Sequence, residues 1–358
     1  MDLPRIRCAE FHLGQRVDPI GSAPAYDGFL VVDVALPWES EVTAQEPFVT
    51  MVGGPTASVT AGDGSRWRPL ARVPDRAEVA AGMRTVTEHR LVRRTHGDVE
   101  LRGPFRRRSW IVPEGDVVAL GRSVLGLGPV SGSSAVSVSG AVSVSSAVPH
   151  PDPSLDALGI DVLVCTHGRR DQCCGSMGTL LYEQLGAVFE ASGAMSSGVV
   201  SSRQRISHTG GHRFAPTAIT FPDGYAWAHV DAEVLDLIVA RAEPPEHFAS
   251  HCRGACFVGG APEQAADRAA LVAVGWDWAD GAREAVVVGF DRSSMATTVR
   301  ITGLLVDGSM RAFDVTSVPA GQVPSPTCGI VDGPEYGTDT VWSVLRSDEV
   351  EPDDRAVQ

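Results

Sequence analysis

IDVLVCTHGRRDQCCG, residues 160–175, is the stretch that decides the fold. Its first five residues are typical of a short buried strand, because all but Asp161 are aliphatic and most of these are β-branched, which suits a strand covered on both faces. Residues 175–192 then place apolar side chains on one face at helical spacing and predict a helix. Further strands at 199–206, 217–221 and 225–230, with helices at 232–242 and 262–275, predict an α/β domain around this stretch.

Three other segments surround this domain, which we bound at 154–280. Residues 1–128 contain FLVVDVAL at 29–36, a second buried-strand pattern, and are predicted to form a mixed α/β domain of related fold. Residues 129–153 are rich in Ser, Gly and Val, which favours a flexible linker and leaves an exposed hairpin open. Residues 281–358 predict a β-rich C-terminal extension with a hairpin turn at Asp307-Gly308-Ser309 and an acidic tail.

Composition limits the classes of function. The chain of 358 residues carries a formal net charge of −14, which argues against nucleic-acid binding because contacts to phosphates need a basic face. No stretch has the ~18–20 apolar residues of a membrane span, and the N-terminus lacks the apolar segment of a signal peptide. We therefore expect a cytoplasmic protein whose seven cysteines are thiols or metal ligands rather than disulfides.

Two clusters of chemically active residues follow predicted strands. The first, CTHGRRDQCCG, spans 165–175, and the second, SHTGGHRFA, spans 207–215. Paired glycines between His208 and His212 indicate a tight loop rather than a helix, and the H-E-x-x-H pattern of zinc proteases is absent. Two histidines and two cysteines suggest a Cys₂His₂ set, although core histidines and a redox thiol pair at Cys173-Cys174 stay open.

Taken together, CTHGRRDQCCG and SHTGGHRFAPT resemble the sucrase/ferredoxin-like family. The resemblance is strongest over 161–278, where it includes CRGACF at 252–257, and extends weakly to GSAPAYDGFLVVDVALPW at 21–38. It implies a thioredoxin-like ferredoxin fold with a [2Fe–2S] cluster, whose ligands would be Cys165, Cys174, His208 and His212. Cys174 is preferred to Cys173, the fallback, because the family pattern is Cys-x₈-Cys followed directly by Gly.

Such a cluster would transfer single electrons. Two neutral imidazoles in place of two thiolates remove negative charge, so we expect a potential well above that of an all-Cys ferredoxin. Rieske centres show the direction, at roughly −150 to +300 mV against about −400 mV for plant-type ferredoxins. Because a ligating imidazole keeps a second ring N–H, we also expect electron transfer to be coupled to a proton.

Four neighbouring residues are candidates for a supporting role. His167 lies beside the first ligand in the sequence, and Arg169, Arg170 and Arg213 flank the ligand motifs. The arginines either hold the ligand loops or form a docking face for an acidic redox partner protein, and a role as solvated surface residues stays open. The partner itself, a reductase or an electron acceptor, is not identified by the sequence.

Three functions compete at this point. The first is the iron–sulfur redox protein, the second is a structural zinc-binding scaffold, and the third is a sucrose hydrolase. A glycosidase needs two carboxylates across the scissile bond, and no motif nominates such a pair. We therefore expect an electron-transfer component rather than a hydrolase. No trusted partner spacing is seen for four remaining cysteines: Cys8, Cys252, Cys256 and Cys328.

Overall fold

The computed structural model describes residues 5–129, 148–149, 159–326, 328–330 and 337–352. Its helices are α1 (Cys8–Gly14), α2 (Phe48–Val52), α3 (Arg76–Ala80), α4 (Val117–Val124), α5 (Gln172–Ala191), α6 (Ala232–Ala240), α7 (Ala261–Val274) and α8 (Trp276–Asp280). Its strands are β1 (Arg5–Ile6), β2 (Gly28–Asp33), β3 (Val59–Thr60), β4 (Arg66–Arg72), β5 (Met83–His96), β6 (Val99–Pro113), β7 (Val148–Pro149), β8 (Ile160–Cys165), β9 (Val200–Ile206), β10 (Thr217–Phe221), β11 (Tyr225–Ala228), β12 (Cys252–Ala255), β13 (Ala282–Asp291), β14 (Ala296–Leu304), β15 (Met310–Ser325), β16 (Gly329–Ile330) and β17 (Gly337–Val350).

One large sheet runs through the molecule. Its strand order is β12-β11-β10-β8-β9-β4-β2-β5-β6-β13-β14-β15-β17, with β3 paired to β4 and β7 paired to β6. Two pairs are parallel, β2 with β4 and β8 with β9, and the other pairs of this sheet are antiparallel. The mixed α+β class expected from the sequence is confirmed.

The same strand order occurs twice in this sheet. In the second half β8 lies between its parallel partner β9 and the antiparallel strand β10, which is followed by antiparallel β11. In the first half β2 lies between parallel β4 and antiparallel β5, which is followed by antiparallel β6. The two units meet where β4 and β9 pair antiparallel at Arg72 and Ile206.

The C-terminal strands continue the sheet beyond the first unit. β13 pairs with β6 at Arg283 and Arg102, and β13, β14, β15 and β17 form an antiparallel meander. The predicted linker lies outside the described residues apart from Pro129 and β7. The proposed division into four segments stays a prediction, and the repeated strand order supports its related-fold part.

The core lies on both faces of the first unit of the sheet. Along β2, Phe29 and Val31 belong to the larger apolar core, whereas Leu30 and Val32 belong to the smaller one, as the two-residue period of a strand dictates. On the second unit, α5 packs against β8 and β9 through Leu181, Leu185 and Phe189, which lie one helical turn apart and are buried. Among the described residues, no helix is long and apolar enough to cross a bilayer.

Candidate metal centre

Three of the residues expected as ligands converge at one edge of the sheet. Cys165 ends β8, Cys174 lies in the first turn of α5, and His208 follows β9. Because β8 and β9 are parallel, their carboxyl ends meet at this edge, where α5 also begins. One ligand atom from each of the three residues lies within 4.8 Å of the others, and both cysteines are buried.

The sequence of α5 explains how the helix comes so close to β8. A Cβ on Gly178 would lie 1.9 Å from the carbonyl oxygen of Cys165, and a Cβ on Gly175 would lie 2.4 Å from the Cα of Gly168. The helix also begins earlier than residue 175, because the carboxylate of Asp171 accepts hydrogen bonds from the N–H groups of the next two cysteines. This cap sets both cysteines in the first helical turn.

The electrostatics of the three-residue group suit metal binding. The Cys174 side chain hydrogen-bonds Cys165, which lowers the pKa of the Cys165 thiol well below its ordinary value, with a further contribution from His208. Across the described parts of the chain, the buried Nδ1 atom of His208 has no hydrogen-bond partner. A thiol with a lowered pKa and a buried ring nitrogen without a partner are what a metal ligand set requires, because thiolate and neutral imidazole are the ligating forms.

His212, the fourth expected ligand, lies beside the group. Gly211 precedes it with φ +72°, and His212 opens the short 3-10 turn His212–Phe214. The rings of His208 and His212 are 6.0 Å apart between centroids. The Nδ1 atom of His212 lies 3.2 Å from Asp171 Oδ2 and 3.3 Å from Cys8 Sγ. Although burial opposes it, the hydrogen bond from His212 lowers the pKa of Asp171 to about 2.

Cys173, the fallback ligand, is not among these three residues. Its sulfur lies 3.8 Å from Cys8 Sγ and 3.1 Å from Cys328 Sγ. From the sequence, no role is assigned to Cys8 and Cys328. They lie 165 and 155 residues from Cys173, too far apart in sequence to form a recognisable metal-binding motif with it. Together with Asp171 they form a second group of ligand-type side chains next to the first.

His167 supports the loop that carries His208. Its Nδ1 accepts a hydrogen bond of 3.3 Å from the His208 N–H, and its Nε2 lies 2.8 Å from the Glu39 carbonyl oxygen, to which it donates. The ring also makes an edge contact with Trp38, at 5.5 Å between centroids. Burial lowers the pKa of His167, which keeps the ring neutral and Nδ1 free to accept.

The three flanking arginines are all paired with acidic residues. Arg169 Nη1 lies 2.9 Å from Glu39 Oε1, and Arg170 Nη1 lies 3.6 Å from Glu41 Oε2. Arg213 contacts the carboxylate of Asp339 and is largely buried. These ion pairs are compatible with a role in holding loops, and the three roles considered from the sequence, in the loops, toward a partner or as surface residues, stay predictions.

Arg253 is a site residue that sequence reasoning missed. It is fully buried and donates to the Ser22 carbonyl and hydroxyl and, at 3.2 Å, to the Gly210 carbonyl. Its guanidinium would lie 2.3 Å from a Cβ on Gly211, so the loop before His212 folds directly onto it. Burial lowers the pKa of Arg253 to about 10. The CRGACF motif contained this signal, since a charged residue among small and apolar neighbours is expected to need a specific set of partners.

Comparison with known proteins agrees with the motif analysis. The family model described as sucrase/ferredoxin-like matches residues 19–254, more than half of the chain. Over 61 residues the chain is 43% identical to "Altered inheritance of mitochondria protein 32" of Meyerozyma guilliermondii, a stretch that covers 17% of this chain. The matched stretch spans 21% of that relative's length. No solved structure matches the chain.

Proposed function

The chain belongs to the sucrase/ferredoxin-like family, and from this premise we propose that it is an electron-transfer protein with a [2Fe–2S] cluster. The ligands would be Cys165, Cys174, His208 and His212. The observation that carries the proposal is the convergence of the first three, with a buried His208 nitrogen that has no hydrogen-bond partner among the described residues.

The residues present fit the group. Thiolates are the usual ligands of iron–sulfur clusters, and imidazoles replace two of them in Rieske centres. His212 Nδ1 contacts Asp171, which leaves the other ring nitrogen, Nε2, as the atom available to the cluster. A carboxylate partner on the second ring nitrogen is the usual way in which a ligating histidine is oriented. The strand order β9-β8-β10-β11, with α5 between β8 and β9, supports the thioredoxin-like part of the proposal.

When bound, the cluster would accept and donate single electrons, at a potential raised by the two neutral ligands. The chain's own groups prepare the site for this charge. Cys174 lies in the first turn of α5, where the helix dipole favours negative charge, and the buried cation of Arg253 lies behind the loop of His208 and His212. Asp171 accepts the Nδ1 proton of His212, which supports the proposed coupling of electron transfer to a proton.

Two further parts of the proposal concern the setting. We place the protein in the reducing cytoplasm, supported by seven cysteines of which none is paired in a disulfide in the described structure. We also propose a redox protein as its partner, because a single-electron carrier needs a donor and an acceptor. A sucrose hydrolase finds no support here, since the carboxylate beside the centre, Asp171, caps α5 and pairs with His212.

Anaerobic purification of the full chain tests the proposal. We expect a reddish-brown protein with about two iron atoms and two acid-labile sulfides per chain. Cys174→Ser should lose both, whereas Cys173→Ser, one position earlier in the same turn, should keep them. His208→Cys and His212→Cys should lower the potential and weaken its dependence on pH. A colourless protein without iron and sulfide would overturn the proposal.

A further inference from the structure

A second group of ligand-type side chains lies next to the proposed cluster site. Cys8 begins α1, Cys173 is the second residue of α5, and Cys328 directly precedes β16. The pairing of β1 with β16 brings the two terminal segments together, since Arg5 pairs with Ile330. Three chain segments distant in sequence thus place their thiols around one point, close to Asp171.

The distances within this group are close to those of a tetrahedral site. Cys8 Sγ lies 3.8 Å from Cys173 Sγ and 3.4 Å from Cys328 Sγ, and the last two sulfurs are 3.1 Å apart. Asp171 Oδ1 lies 3.8 Å from Cys8 Sγ and 3.5 Å from Cys328 Sγ. Zinc with Zn–S of about 2.3 Å and Zn–O of about 2.1 Å has tetrahedral edges of about 3.8 Å between sulfurs and about 3.6 Å between sulfur and oxygen. Widening the two shorter sulfur distances by about 0.4 and about 0.7 Å completes that geometry.

Burial and hydrogen bonding favour a closed site. Cys8, Cys173 and Asp171 are buried, and Cys328 is partly exposed. Asp171 Oδ1 accepts hydrogen bonds from the N–H groups of Cys173 and Cys174, and a ligating carboxylate is commonly oriented in this way. A buried set of three sulfurs and one carboxylate without an open position suits a structural ion rather than a catalytic one.

We propose that Cys8, Cys173, Cys328 and Asp171 bind a zinc ion that fastens both terminal segments to the first turn of α5. Zinc is the ion that this set favours, because soft thiolates select it over magnesium or calcium. The site uses none of the four residues assigned to the iron–sulfur cluster. It nevertheless adjoins that centre, because Asp171 also contacts His212.

Metal analysis of the full chain, purified without added chelator, tests the site. We expect about one zinc per chain in addition to iron, and X-ray absorption at the zinc edge should show three sulfur neighbours at about 2.3 Å and one lighter neighbour. Cys328→Ser changes a half-buried residue near the surface, so we expect a folded protein with zinc reduced at least tenfold and iron retained. Cys252→Ser, which changes a buried cysteine outside both groups, should keep its zinc.

Several results would overturn the zinc site. These are a wild-type protein without zinc, zinc retained in full by Cys328→Ser, a disulfide between two of the three cysteines, or iron in place of zinc. The two proposals fail separately. Cys174→Ser should lose iron and keep zinc, and a protein with Cys328-dependent zinc but no iron or sulfide would refute only the redox function.

Discussion

His167→Phe is the sharpest test of how the ligand loop is held. Phenylalanine keeps the ring that contacts Trp38 but removes the acceptor for the His208 N–H and the donor to the Glu39 carbonyl. Glu39 is exposed, so its carbonyl can turn to water at little cost. The N–H of His208 is partly buried, and leaving it without a partner costs about 1–3 kcal/mol.

We therefore expect His167→Phe to lower the free energy of unfolding by about 1–3 kcal/mol, measured by denaturant titration. Iron retention should fall about 10- to 100-fold, as is usual when a residue that supports a metal ligand is lost. His167→Asn, which restores an acceptor opposite the His208 N–H, should recover most of the iron. His251→Phe is the matched control, because the His251 ring also hydrogen-bonds a backbone carbonyl, that of Ala228, which lies outside both ligand loops.

If His167→Phe lost stability but bound iron as tightly as the wild type, the loop would not depend on this hydrogen bond. If His251→Phe lost iron to the same degree, the effect would be one of general stability. Either result would refute the reasoning.

Three further outcomes are expected. Gly178→Ala should destabilise the protein by more than ~3 kcal/mol in thermal unfolding and abolish iron binding, because the new methyl group overlaps the Cys165 carbonyl. Gly186→Ala is the control in the same helix, and it should be nearly neutral because its methyl group meets only a flexible arginine side chain. Burial lowers the pKa of His89 to about 3, so between that value and its ordinary ~6.5 the residue takes up a proton when the protein unfolds. Acidification from neutral pH to pH 4 should therefore lower the free energy of unfolding of the wild type by about 3 kcal/mol more than that of His89→Gln, as measured by urea titration at the two pH values. Arg253→Lys keeps the charge but loses the guanidinium group, so the free energy of unfolding should fall by about 1.5–3 kcal/mol and iron retention should weaken. A variant with unchanged stability and iron content would contradict the role of Arg253 in holding the loop.

The central strands and the convergence of the first three candidate ligands could be predicted because their signals are local. The apolar run of β8 ends at Cys165, one helical turn separates Asp171 from Cys174, and His208 lies two residues after the end of β9. Choosing between Cys173 and Cys174 required the orientation of α5, since neighbouring residues on a helix point about 100° apart. The motif preference for Cys174 agrees with the group that the structure brings together.

What the sequence could not predict depends on long-range pairing. Cys8 and Cys328 are 320 residues apart and become neighbours only because β1 pairs with β16. Arg253 lies in a quoted motif, yet its contact with the Gly210 loop requires knowing that β12 lies three strands from β8. No periodicity within either segment encodes these contacts.

The part of the first unit that follows β2 has a consequence for protein engineering. Trp38 and the Glu39 carbonyl, which contact His167, come from the half of the molecule that supplies none of the four proposed cluster ligands. The half that carries the ligands is therefore not sufficient by itself to reproduce this centre. A fragment that begins at Gly159 would contain every proposed cluster ligand but would lack the residues that contact His167 and so support the His208 loop. Grafting this centre onto another scaffold would require residues 34–41 to be included.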